Sequence, residues 1–342
     1  MEQILFDKTP DNKDIYKFKI KSSKNIEIEI INYGSIIKSI KTPNKFGEVT
    51  DIVLGYDSLI EYINDTFYMG CIIGRYSNRI NKGEFYLNDK KYTLPINNGN
   101  NHLHGGFNGF NKSIWNFKVI NEKSLELSYF SKDGEEGYPA NLDVKVIYTL
   151  NDNELIIDYF AKSDNDTIVN LTNHSYFNLL GKDNILEHSL LINSNYFTPI
   201  DENLIPTGEF LELKNTPLDF SSEKVISSRI NNNYNQLLIA NGYDHNYIIN
   251  SSDELKFGAR LTEKITGRVL EVYTTKPALQ FYSGNFLSNI KGKNSQSYSK
   301  YSGLCLETQY YPDSPNKSNF PNPYLSSSKE YRHKTIYKFN NL

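Results

Sequence analysis

The chain has 342 residues, 38% of them hydrophobic and 13% aromatic, with 37 Lys and Arg against 40 Asp and Glu for a formal net charge of −3. That is ample material for a globular core, and an all-β chain of this size can be a single unit, because sandwiches and barrels run past about two hundred residues as one domain. Basic residues dispersed among acidic ones exclude a broad nucleic-acid or anionic-membrane surface, which needs clustered Lys and Arg, and leave small neutral ligands as the expected partners.

In chain order, residues 25–31 alternate charged and β-branched side chains and predict a half-buried strand. Residues 84–87 and 91–94 flank Asn88-Asp89 and predict a hairpin, with further strands at 115–120 and 125–130. A second hairpin is predicted where 143–150 and 155–160 flank Asn151-Asp152-Asn153. One continuous strand is predicted over 168–177, and a short helix over 226–240 in spite of its Asn-rich middle. Strands at 257–261, 269–275, 278–282 and 304–307 complete the series. Neither a Pro/Gly/Ser linker nor a fixed-period repeat divides the chain, so the prediction is one large antiparallel β domain over 1–342.

No run approaches a membrane span, and the first residues lack the basic and apolar regions of a secretory signal. With only Cys71 and Cys305, a disulfide framework is not expected, and a reducing cytoplasm is the default setting.

Alternate strand residues share a face. In residues 303–307, Leu304 and Leu306 point one way and Cys305 and Glu307 the other; Gln280 opposes Leu279 and Phe281, and Asn170, Thr172 and His174 oppose Val169 and Leu171. If the apolar members pack between sheets, these strands offer polar groups to a common cleft.

Three segments stand out chemically. Residues 97–106, Asn-Asn-Gly-Asn-Asn-His-Leu-His-Gly-Gly, suit the wall of a site better than an element interior. Asn173-His174-Ser175-Tyr176-Phe177-Asn178 and Glu307-Thr308-Gln309 place an imidazole and a lone carboxylate far apart in sequence, as assembled acid–base sites do. Each has a plainer reading. His102 and His104 can ligate a metal on one strand face, although the surrounding Asn and Gly suit hydroxyl hydrogen bonding better. His174 can be a satisfied core histidine and Glu307 a solvated strand carboxylate. Arg75 and Arg79 can be surface charges or forks for vicinal hydroxyls or a phosphate, and Asp244 can cap a turn or accept from a hydroxyl.

Taken together, the chain resembles the aldose 1-epimerase (galactose mutarotase) family over nearly its whole length. The resemblance rests on seven motifs in family order: Gly74-Arg75 with Asn78-Arg79-Ile80, Asn97-Asn98-Gly99 with His102-Leu103-His104-Gly105-Gly106, Asn173 to Leu179, Pro206-Thr207-Gly208, Gly242-Tyr243-Asp244-His245, Gln280-Phe281-Tyr282 with Gly284-Asn285-Phe286, and Glu307-Thr308-Gln309 with Pro312 to Asn316. It departs from the family at Tyr310, where a histidine is usual, and in the last turn at residues 326–331. The resemblance implies an all-β supersandwich binding a free monosaccharide such as galactose or glucose without metal or organic cofactor, as a monomer or weak homodimer. It implies Glu307 as general base, His174 as general acid, and Arg75, His104, Asp244 and Gln280 as groups that bind or position the sugar. Tyr176 and Phe281 are expected to supply apolar contact with the ring.

Overall fold

The computed structural model describes residues 1–251 and 254–342. Three antiparallel sheets of five, nine and six strands dominate, with short two-stranded ribbons between them. The six-stranded sheet runs Tyr176–Phe177, Leu304–Gln309, Ala278–Tyr282, Asp244–Ile249, Ser194–Thr198, Leu211–Glu212. Its inner face, including Leu279, Phe281, Leu304 and Leu306, packs in one cluster with Leu155, Ile157, Val272 and Tyr337 of the nine-stranded sheet. These side chains are at most 1% exposed, and burial of each stabilises the sandwich by roughly 1.5–3 kcal/mol. The same cluster takes in Phe18, Ile28 and Ile30 of the N-terminal five-stranded sheet and reaches Phe339. Among the described residues, no helix is long and apolar enough to cross a membrane.

Local chemistry explains most boundaries. The hairpin joining Glu84–Leu87 to Lys90–Thr93 turns through Asn88 and Asp89 with φ of 50° and 61°, the left-handed pair that Asn and Asp tolerate and a two-residue turn requires. Residues 142–151 and 154–163 pair over their whole length, as the alternation predicts.

Two expectations need correction. The strand predicted over 168–177 is broken into Thr167–Ile168, Thr172–Asn173 and Tyr176–Phe177. Each piece pairs with a different partner: Ile168 with Tyr324, Thr172 and Asn173 with Ile73 and Ile72, and Tyr176 with Cys305. The segment therefore crosses between sheets, and His174 sits on the corner. The helix predicted over 226–240 shrinks to Asn235–Ala240, preceded by a 3-10 turn at Ile226–Ser228, because the Asn run at 231–233 has poor helix propensity. Sequence reasoning also missed Tyr331–Asn341, which lies between Glu154–Ser163 and Arg268–Thr274 in the nine-stranded sheet. Its inward residues Thr335, Tyr337 and Phe339 do alternate, a period-two signal diluted by Lys, His and Asn.

Candidate active site

A cavity of about 310 Å³ opens on the outer face of the six-stranded sheet. Glu307 reaches it because its strand alternates: Leu304 and Leu306 enter the core, and Cys305 and Glu307 face the other way. From the corner after Thr172–Asn173, His174 brings Nε2 to 3.7 Å from Glu307 Oε1. Two backbone bonds pin that corner, His174 N–H donating to Cys71 O at 2.9 Å and Gly70 N–H to His174 O at 3.0 Å. Both side chains are buried, at 4% and 2% exposure.

Gln280 and Glu307 are register partners. Gln280 Nε2 donates to Asp244 Oδ1 at 2.6 Å, and Asp244 Oδ2 lies 3.9 Å from Arg79 Nη1. Arg79 Nε in turn donates to Asn98 Oδ1 at 3.1 Å, which ties the Asn-rich segment to the site. Tyr176 also lines the cavity, with its hydroxyl donating to Phe67 O at 3.0 Å.

His104 arrives from the opposite wall. The Arg79–Ile80 and His102–Leu103 strands pair, and Asn78 N–H donates to His104 Nδ1 at 3.1 Å. Asn78, His104 and Tyr68 have φ of 65°, 53° and 60°; this left-handed backbone costs a non-glycine residue roughly 1–2 kcal/mol, the kind of strain that gathers at working sites. Gly105 follows with φ of 88°, where a Cβ would stand 1.9 Å from Gly74 O. No other residue fits there, and the turn that aims His104 depends on it.

Burial governs the electrostatics. It raises the Glu307 carboxyl well above its usual value, helped by the Asp244 charge and opposed by Arg79. It raises Asp244 too, against Arg79 and the Gln280 hydrogen bond. Burial lowers His174 to about 4 and pushes His104 well below the usual imidazole range, with His174 adding to the effect. Because the His174 and Glu307 groups face each other at 3.7 Å, they titrate as a pair, and both shifts favour the pair with one shared proton and no net charge.

The ligand atoms of His104, His174 and Glu307 lie within 4.8 Å of one another, close enough to share a cation if each offered a lone pair. His104 Nδ1 already accepts the Asn78 N–H; the neutral ring therefore carries its proton on Nε2 and shows the cavity an N–H, not a lone pair. His102, the other member of the predicted H-x-H pair, turns away to Pro95 O at 2.8 Å and the Tyr138 hydroxyl at 2.7 Å. The donor set does not fit a metal.

Two predicted sugar contacts need correction. Arg75 is 2% exposed, and its guanidinium donates to Pro139 O, Ala140 O, Ser131 Oγ and Lys132 O at 2.6, 2.8, 2.6 and 3.2 Å. It cross-links loops away from the cavity, and Arg79, four residues on, lines the cavity instead. Phe281 is wholly buried in the core, stacked on Tyr243 at 5.1 Å; Tyr282, on the same strand face as Gln280, lines the cavity instead. Asn98 lines the cavity, as expected of the wall segment 97–106, whereas sequence reasoning missed Asn78, Tyr68 and Phe286 as lining groups.

Solved structures share this architecture. An aldose epimerase homologue from C. elegans superposes with a TM-score of 0.90 at 29% identity, covering 95% of this chain and 99% of that one. A galactose 1-epimerase from Lactobacillus acidophilus gives 0.88 at 27% identity, covering 99% and 98%. The class is thus the galactose mutarotase-like β-sandwich. A family model described as aldose 1-epimerase matches residues 16–338. Galactose mutarotase from Bos taurus is 44% identical over 328 residues, 95% of this chain and 94% of that protein. Aldose 1-epimerase from Escherichia coli is 34% identical over 335 residues, 96% of each. The chain belongs to the aldose 1-epimerase family and is an isomerase acting on a sugar.

Proposed function

We propose that the enzyme interconverts the α and β anomers of free hexoses such as galactose and glucose, with Glu307 as general base and His174 as general acid, in a chain that folds as one domain. The observation that carries this reading is the buried imidazole facing a buried carboxylate at 3.7 Å on the floor of a cavity the size of one sugar. Glu307 takes the proton of the C1 hydroxyl while His174 Nε2–H gives its proton to the ring oxygen. The bond from C1 to the ring oxygen breaks and leaves an aldehyde and a hydroxyl. Rotation about C1–C2 presents the other carbonyl face, and the same transfers in reverse close the ring as the opposite anomer. His104 Nε2–H, Arg79 and Asp244 hold the hydroxyls, while Gln280 fixes Asp244. The single-domain reading is supported by the hydrophobic cluster that reaches from Phe18 to Phe339.

The test is polarimetry on freshly dissolved α-galactose and α-glucose, where relaxation to the anomeric mixture should exceed the spontaneous rate. Glucose 6-phosphate separates this reading from a sugar-phosphate mutarotase. Among the described residues Arg79 is the only Lys or Arg lining the cavity, and it is engaged by Asp244 and Asn98. A phosphate beside two carboxylates would be an unpaired buried charge worth several kcal/mol, so kcat/KM should fall by ~10²-fold or more. Equal kcat/KM on glucose and glucose 6-phosphate would remove the restriction to free hexoses from the reading.

The pH dependence follows from the same pair. The active form holds one proton between Glu307 and His174. Acid adds a second proton, so activity should fall as pH drops towards about 4, where His174 titrates. Alkali removes the shared proton, so activity should also fall as pH rises through the raised Glu307 value. A kcat profile flat between pH 3 and pH 10 would contradict the shared-proton account.

A further inference from the structure

The His174 ring has a second nitrogen that the mechanism does not use directly. Among the described residues, the side-chain polar group against Nδ1 is the Cys305 thiol, with Sγ at 3.5 Å, and the backbone of His174 itself also interacts with the ring and opposes part of the burial effect. Cys305 is completely buried, pairs in register with Tyr176 and Tyr282, and precedes Glu307 by two residues on the same strand face. One short strand thus presents Sγ to Nδ1 and Oε1 to Nε2 of the same imidazole.

Resting on the assignment of His174 as the acid, we propose that Cys305 is a positioning residue, whose sulfur accepts the Nδ1–H of His174 and so keeps Nε2 turned to Glu307 and the sugar. The proton count requires such an acceptor. When the imidazolium gives its Nε2 proton to the ring oxygen, the neutral ring left behind carries its proton on Nδ1; Nε2 then recovers a proton on reclosure. Nδ1–H therefore persists through both halves of the reaction. Burial holds the Cys305 thiol well above its usual pKa, with the Glu307 charge adding to the effect, so the sulfur stays a neutral thiol. A neutral thiol is a weak acceptor. It orients the ring without the strong stabilisation of imidazolium that a carboxylate at the same place would give, and the acid stays strong. The other side chains around the ring are Glu307 on the Nε2 side, with His104, Tyr176 and Tyr68 at ring separations of 5.2, 5.1 and 5.9 Å; none of these side chains is hydrogen-bonded to Nδ1.

The experiment compares the native enzyme with Cys305→Val, which keeps the site apolar and adds about one methyl group but removes the acceptor, and Cys305→Ser, which keeps one. Long-range 15N–1H imidazole spectra, with His174→Asn identifying the signals, report the tautomer; polarimetry reports kcat and KM. Native protein and Cys305→Ser should show the Nδ1–H form, and Cys305→Ser should keep most of kcat. Cys305→Val should show a mixture of tautomers and a kcat lower by ~10-fold or more at unchanged KM, the size of loss seen when the hydrogen-bond partner of a metal-bound histidine is removed. If Cys305→Val does not fold, Cys305→Ala takes its place. A native Nε2–H form, an unchanged tautomer in the variant, or a changed tautomer with unchanged kcat would each overturn the proposal. Failure of the underlying reading is separate: native enzyme without mutarotation removes the acid role, whereas the spectra still decide whether Cys305 sets the tautomer.

Discussion

Replacing Glu307 by Gln is expected to lower kcat for anomer exchange by ~10²- to 10⁴-fold, the contribution of one positioned acid or base, while the protein stays folded. The substitution conserves shape and removes a carboxylate whose charge burial already opposes, so thermal stability should hold or rise. KM should change little, because Asp244, Arg79 and His104 still line the cavity. His174→Asn should give a comparable loss, and the double variant little more than either alone, since the two groups carry out their proton transfers as a unit. Polarimetry of the three purified variants checks this; additive losses would mean that the residues act in separate steps.

Arg75→Leu should do the opposite, destabilising the fold by at least ~3 kcal/mol with little effect on sugar binding in the protein that remains folded. The substitution removes six charge-assisted bonds, to Pro139 O, Ala140 O, Thr167 Oγ1, Ser131 O, Ser131 Oγ and Lys132 O. Such bonds contribute roughly 1.5–3 kcal/mol each, and a buried carbonyl left without a donor costs roughly 1–3 kcal/mol. Arg79→Leu is the control: its guanidinium faces the cavity, so KM should rise with a smaller change in stability. Urea unfolding beside KM measurements separates the two arginines, and a raised KM with native stability in Arg75→Leu would return that residue to the sugar site.

These two arginines mark how far the sequence can be read. The motif holds both in five residues, and nothing in the spacing says which guanidinium points outward; that depends on Arg79 pairing with Leu103 beside His104, a long-range contact. Phe281 was legible and misassigned, since alternation with Gln280 already put it on the core face. Glu307 and its opposing leucines were readable from period two alone. His174 could be named from its motif, but not its corner, because the break of residues 168–177 into three pairings is decided by other strands. The meeting of Asn98 with Arg79, 19 residues apart in the chain, has no local signature at all.

The fixed proton on His104 has a consequence for what the cavity can hold. With Asn78 N–H occupying Nδ1, one wall, His104 and Arg79, can only give hydrogen bonds, while the facing carboxylates of Glu307 and Asp244, when ionised, can only receive them. A ligand that spans the gap must therefore read differently from its two sides. A hydroxyl does so at a single atom, and a ring carrying several adjacent hydroxyls can satisfy both walls in more than one orientation. A ligand made only of acceptors, or only of donors, leaves one wall facing its own kind.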